Sequence, residues 1–123
     1  MILGNVNNNR EAIVQIVIIG NNNKRQLIRA VIDTGFTASL TLPLEVISAL
    51  DLVCFAQQEG MLGNGEVHLF DVYEGAVIWD GQVKTIEINE SSSDPLVGMT
   101  LLEGYELRIE SIEGGSVTIQ TLP

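Results

Sequence analysis

Short apolar runs of strand type, each closed by a cluster of Gly and Asn, leave this chain little choice but to fold as a sheet protein. Residues 12–19 are dominated by Val and Ile, whose branching at Cβ suits a pleated strand better than a helix. Gly20-Asn21-Asn22-Asn23 ends that run with residues that tolerate positive φ, and residues 26–32 read as the returning arm of a hairpin. The pattern repeats downstream. Residues 60–72 form two extended arms around Asn64-Gly65, and residues 76–88 form two more around Asp80-Gly81. Residues 105–110 and 116–121 pair about Glu113-Gly114-Gly115, and Asn7-Asn8-Asn9 reads as a turn. Two interruptions look helical. After a short strand over residues 38–42, Pro43 can open a helix carrying Leu44, Val46, Ile47 and Leu50, and residues 99–103 make a turn or two closed by Gly104. Residues 91–95 are a loop. The expectation is an all-β closed barrel of hairpins with one or two short helices.

Within this framework the first hairpin delivers a carboxylate straight out of an apolar strand. Ala30-Val31-Ile32 is followed by Asp33-Thr34-Gly35, then by Phe36-Thr37-Ala38-Ser39-Leu40-Thr41-Leu42. Burying an unpaired carboxylate among Val and Ile costs several kcal/mol or forces it to keep its proton, so the placement needs a partner or a use. Gly35 permits a sharp turn and a close backbone approach, and the Thr34 hydroxyl can bond nearby backbone. One reading is structural: Asp33 caps its own backbone in an Asx-type turn.

The wider stretch resembles the active-site segment of retropepsin-like aspartic proteases, in which apolar residues precede Asp-Thr-Gly and an apolar strand follows. The family's second signature, two apolar residues and a Gly leading into a short helix, is matched by Leu96-Val97-Gly98 before Met99. Both occur once, in the family's order, and the resemblance spans residues 13–107. It implies a peptidase whose two carboxylates share one proton, one acting as base on a water while the other hydrogen-bonds the scissile carbonyl. A chain with one Asp-Thr-Gly meets this as a homodimer, each subunit giving Asp33. By the same resemblance Thr34 bonds across the two-fold, Gly35 sets backbone near the carboxylates, and Leu96 and Val97 pack beneath the site or line its pocket. Leu62, Gly63, Asn64 and Gly65 would form the tip of a flap closing over bound peptide, where glycine lets backbone approach a substrate strand. Phe36 stands where retroviral members usually have a small residue. Met99 replaces a frequent arginine, whose acidic partner is also absent, that position being Thr37. Two other readings remain: a catalytically silent peptide-binding or dimerisation module with the same fold, and a plain β-barrel domain in which Asp33 is only a turn residue.

Size and charge bound the rest. A chain of 123 residues makes one domain, residues 1–123. With 46% hydrophobic residues and only six basic ones, it is neither disordered nor built to bind nucleic acid. The net charge of −10 disfavours anionic membranes and makes two subunits repel at long range, so a dimer must hold through apolar and backbone contacts. Cys54 stands alone, which excludes an intrachain disulfide and suggests a reducing, cytoplasmic setting. It reads as a small buried hydrophobe rather than a nucleophile, because the one histidine, His68, has no evident carboxylate to orient it and falls in a solvated strand. No cluster of residues has metal-ligand spacing, so no metal or cofactor is expected. No leader is visible, and no apolar run approaches the ~20 residues that cross a bilayer.

Overall fold

The computed structural model describes residues 1–61 and 63–123, which form ten strands and two short helices. The strands are β1 (Ile2–Val6), β2 (Ala12–Ile19), β3 (Arg25–Ile32), β4 (Leu40–Leu42), β5 (Val53–Met61), β6 (Val67–Trp79), β7 (Gln82–Glu90), β8 (Leu96–Val97), β9 (Tyr105–Ile109) and β10 (Ser116–Thr121); the helices are α1 (Leu44–Ala49) and α2 (Met99–Leu102). They join one sheet in the order β5-β6-β7-β4-β8-β3-β2-β1-β10-β9, with β6 also pairing β2. That extra pairing makes a closed circuit through β2, β3, β8, β4, β7 and β6, and the core fills its interior.

Burial follows the two-residue period of the strands. Val14, Ile16 and Ile18 of β2 face inward with Ile28 and Ala30 of β3, and join one core with Leu40, Leu42, Val77, Ile88 and Val97 from around the circuit and Ile119 from β10. Ile47 and Leu50 add the inner face of α1, while Leu44 stays exposed. Each such side chain stabilises by roughly 1.5–3 kcal/mol when fully buried.

The first hairpin forms with Ile13 opposite Val31 and Ile19 opposite Arg25, as the β-branched runs require. Its Asn turn does more than reverse the chain. Asn22 and Asn23 take positive φ, the Asn21 amide donates to the Asp51 carbonyl oxygen at 2.7 Å, and Asn22 and Lys24 reach the Asp51 carboxylate at 2.9 and 3.0 Å. The turn is thereby fastened to the end of α1. Gly20 makes this approach possible, since a Cβ there would lie 2.1 Å from the Leu50 carbonyl oxygen.

Four features depart from the sequence reading. Ile2–Val6 is a strand that the sequence hides, because its Gly4 and Asn5 are poor strand formers; pairing with β2 on one side and β10 on the other overrides that preference. The arms expected over residues 60–72 and 76–88 are not separate, since one continuous thirteen-residue strand, β6, serves both hairpins. Cys54 is exposed rather than buried: β5 is the last strand of the sheet, and a register irregularity between Cys54 and Ala56 turns the thiol toward the Ala56 carbonyl at 3.5 Å. His68 is exposed, as expected of a solvated strand, but it does have a carboxylate partner, Glu66, 3.0 Å from its Nε2.

Candidate active site

Asp33 lies one residue beyond β3, where the strand stops because its partner stops. Short β8 runs parallel to β3 with Leu96 beside Val31 and Val97 beside Ile32, and it also pairs with β4, so the second signature is inserted between the strands that flank the first. Backbone hydrogen bonds carry the join past the strand ends. The Val31 N–H donates to the Pro95 carbonyl at 2.8 Å, the Asp33 N–H to Val97 at 2.9 Å, the Gly98 N–H to Ser39 at 3.0 Å, and the Met99 N–H to Phe36 at 2.8 Å. Thr100 completes it, with its N–H on the Ala38 carbonyl at 3.2 Å and its hydroxyl donating to the Thr37 carbonyl. Asp33 is therefore held by a rigid scaffold rather than by a free loop.

The carboxylate itself makes a tight local turn. Its Oδ1 accepts the Gly35 N–H at 2.9 Å, and the Asp33 carbonyl accepts the Phe36 N–H at 3.2 Å. This is the Asx-type capping expected of a turn residue, and it also fixes the direction of the carboxylate. Asp33 is half-buried, whereas Thr34 and Gly35 stand at the surface. A Cβ on Gly35 would sit 3.2 Å from Oδ1, so any side chain there presses on the carboxylate.

Beneath this loop Val97 is fully buried in the core and Leu96 half-buried at its edge. Gly98 is enclosed by the first signature: a Cβ would lie 2.2 Å from the Ala38 carbonyl oxygen and 2.6 Å from the Phe36 ring. Met99 is half exposed at the start of α2. Phe36 and Gly98 thus form a matched large and small pair, which reading each position alone does not reveal.

The hairpin between the signatures is built from β5 and β6, with Met61 opposite Val67. Gly63, Asn64 and Gly65 lie at its exposed turn; Gly65 takes φ +85, and the Asn64 side-chain oxygen accepts the Glu66 N–H at 3.0 Å. Leu62, the fourth residue expected at the tip, lies outside the described residues. Along the arms Gly60 makes room for Phe70, whose ring would be 2.7 Å from a Cβ at that position. Among the described residues no group of three or more His, Cys, Asp or Glu is placed to hold a metal ion, and no helix is long and apolar enough to cross a membrane.

No protein-family model matches the chain, and no curated protein matches it. Among solved structures it is similar to the crystal structure of a retropepsin-like aspartic protease from Rickettsia conorii, with a TM-score of 0.63 and 18% sequence identity over 99% of this chain and 91% of that one. At that identity the likeness is one of fold: the chain has the mostly β, retropepsin-like fold, and the two signature segments meet within it.

Proposed function

We propose that the protein is an aspartic endopeptidase that works as a homodimer, with Asp33 from each subunit forming one dyad. The observation that carries this reading is the cross-bonding of the Asp33 loop to the Leu96-Val97-Gly98 segment, together with the local Gly35 N–H that fixes the carboxylate direction while Thr34 and Gly35 stand at the surface. Two such loops meeting about a two-fold axis would bring the carboxylates close enough to share one proton. One Asp33 then takes a proton from water, the other donates to the scissile carbonyl, and the pair titrates as a unit. Thr34 would bridge the loops, Leu96 and Val97 would support them from below, and the tip at Gly63, Asn64 and Gly65 would close over an extended peptide.

Replacement of Asp33 by Asn tests the reading. It should abolish cleavage of an unfolded protein substrate while leaving the thermal midpoint equal to wild type or higher, because neutral amides remove the repulsion between two carboxylates. Were Asp33 only a turn residue, Asn would substitute almost equivalently and any cleavage would persist. Undiminished cleavage by the variant removes Asp33 from the mechanism.

A further inference from the structure

The outer wall of the sheet circuit carries an apolar row whose two ends are open to solvent. Leu27 of β3 stands opposite Val17 of β2, Val17 opposite Ile78 of β6, and Ile78 opposite Val83 of β7, so one side chain from each of four neighbouring strands falls in line. Their sequence neighbours Ile16, Ile18, Ile28 and Val77 are buried in the core, which turns this row to the outside. Leu27 and Val83 are 61 and 67% exposed, with Val17 and Ile78 half-buried between them. A lone exposed Leu or Val is ordinary on any protein surface. Four in register, roughly 14 Å from end to end at the ~4.8 Å spacing of strands, make a strip that a second surface can cover.

Charge around the row has one sign. Arg25 and Arg29 lie two residues to either side of Leu27 on β3, and therefore on the same face. Neither has an ion-pair partner among the described residues. The register runs from Arg25 through Ile19 and Ala76 to Thr85, and from Arg29 to Gln15, so none of the outer positions in these three rows is acidic. Acids resume one row further on, where Glu74 stands opposite Glu87. In a chain with 16 acidic residues and six basic ones, this face is the exception.

We propose that this face docks an amphipathic helix of a partner protein, with the helix's apolar stripe over Leu27, Val17, Ile78 and Val83 and its flanking Asp or Glu residues paired with Arg25 and Arg29. Because β2 and β6 have strands on both sides at Val17 and Ile78, an occupant meets the row with side chains from above rather than as an added strand, and a helix is the element that covers a sheet face. Apolar residues three and four apart supply the stripe, and acids at its margins supply the charge selection. A second copy of this chain is a poor occupant: its helices are six and four residues long, and a two-fold contact of the face with itself would set unpaired arginines against one another. The net charge of −10 disfavours an anionic membrane. Leu27 precedes Asp33 by six residues, roughly 20 Å along an extended strand, and the docking does not depend on peptidase activity.

The test is fluorescence anisotropy of three stapled helical peptides with the whole protein: a Leu stripe with Glu margins, the same stripe with Lys margins, and Glu margins with the stripe replaced by Ser. Only the first should bind, more weakly as salt rises, and equally to wild type and to Asp33→Asn. Leu27→Ser should weaken it about tenfold, the scale of burying one Leu side chain. Arg25→Glu should weaken it by roughly twofold to fivefold, the scale of an exposed ion pair, with the thermal midpoint unchanged. Val83→Ser, at the far end of the row, gives the same direction if Leu27→Ser folds poorly. Equal binding of the Lys-margin peptide, or affinity untouched by these substitutions, would overturn the proposal. Displacement by a peptidomimetic aspartic-protease inhibitor would place the helix in the Asp33 cleft instead. Self-association lost on Leu27→Ser would make the occupant a second copy, and binding to phosphatidylglycerol vesicles lost on the same substitution would make it a membrane; each of these results overturns the proposal.

Discussion

At Gly98 there is no room for a single added carbon. A methyl group would be driven to 2.2 Å from the Ala38 carbonyl oxygen, and that oxygen is itself held by the Thr100 N–H, so neither side can move without breaking the bonds that join the two signatures. Gly98→Ala should therefore destabilise the protein by roughly 1–3 kcal/mol, the range for forced overpacking, and chemical denaturation would measure it. An unchanged midpoint would mean that the Phe36–Ala38 segment yields more readily than its bonding suggests. The Asx-type turn at Asp33 was legible in the sequence, because Asp followed by Thr-Gly at the end of an apolar strand favours a side-chain cap on its own backbone. The Gly98–Phe36 complementarity was not, since two residues 62 positions apart become neighbours only after β8 inserts beside β3. Cys54 failed for a related reason: burial depends on which strand ends the sheet, and no single strand reveals its neighbours.

Elements of this chain do separate work. In the β5–β6 hairpin nothing lies within 4 Å of a Cβ built on Gly63, and this residue does not need positive φ. Gly63→Val should thus leave stability within about 0.5 kcal/mol of wild type, as for an ordinary surface change, yet slow peptide cleavage by stiffening and crowding a tip proposed to approach substrate. Kinetics unchanged by this substitution would return the hairpin to a passive surface role. The β2–β3 turn acts on stability instead. Hydrogen bonding from Asn22, reinforced by Lys24, holds the Asp51 carboxyl below its ordinary value. A depressed folded value means the contribution is complete above the unfolded value near ~3.9 and disappears as pH falls through the lower one. Asp51→Asn, which still tolerates the φ of +53 there, should lower the thermal midpoint slightly at neutral pH and match wild type near pH 2. A difference that persisted at pH 2 would assign the loss to packing. The β-branched arms of this hairpin were plain from sequence; its fastening to α1 was not, because Asn signals a turn without saying what the turn will touch.

For the whole molecule, charge and assembly oppose each other. Two copies at −10 repel across any interface, and the Debye length shrinks from about 10 Å at 0.1 M salt to about 3 Å at 1 M. The proposed dimer should tighten severalfold as salt rises over that range, with specific activity at low protein concentration rising in parallel, as sedimentation and cleavage across a dilution series would show. Activity independent of concentration, in a protein that sediments as a monomer, would overturn the shared dyad. The insertion of β8 between β3 and β4 also sets a clock. Translation adds roughly 5–20 residues per second, so several seconds separate the emergence of Ile32 from that of Val97. Until Val97 has been added, the Asp33 N–H lacks the acceptor it has in the finished sheet, and during synthesis the strand bearing the proposed catalytic group waits beside a vacant place in the sheet.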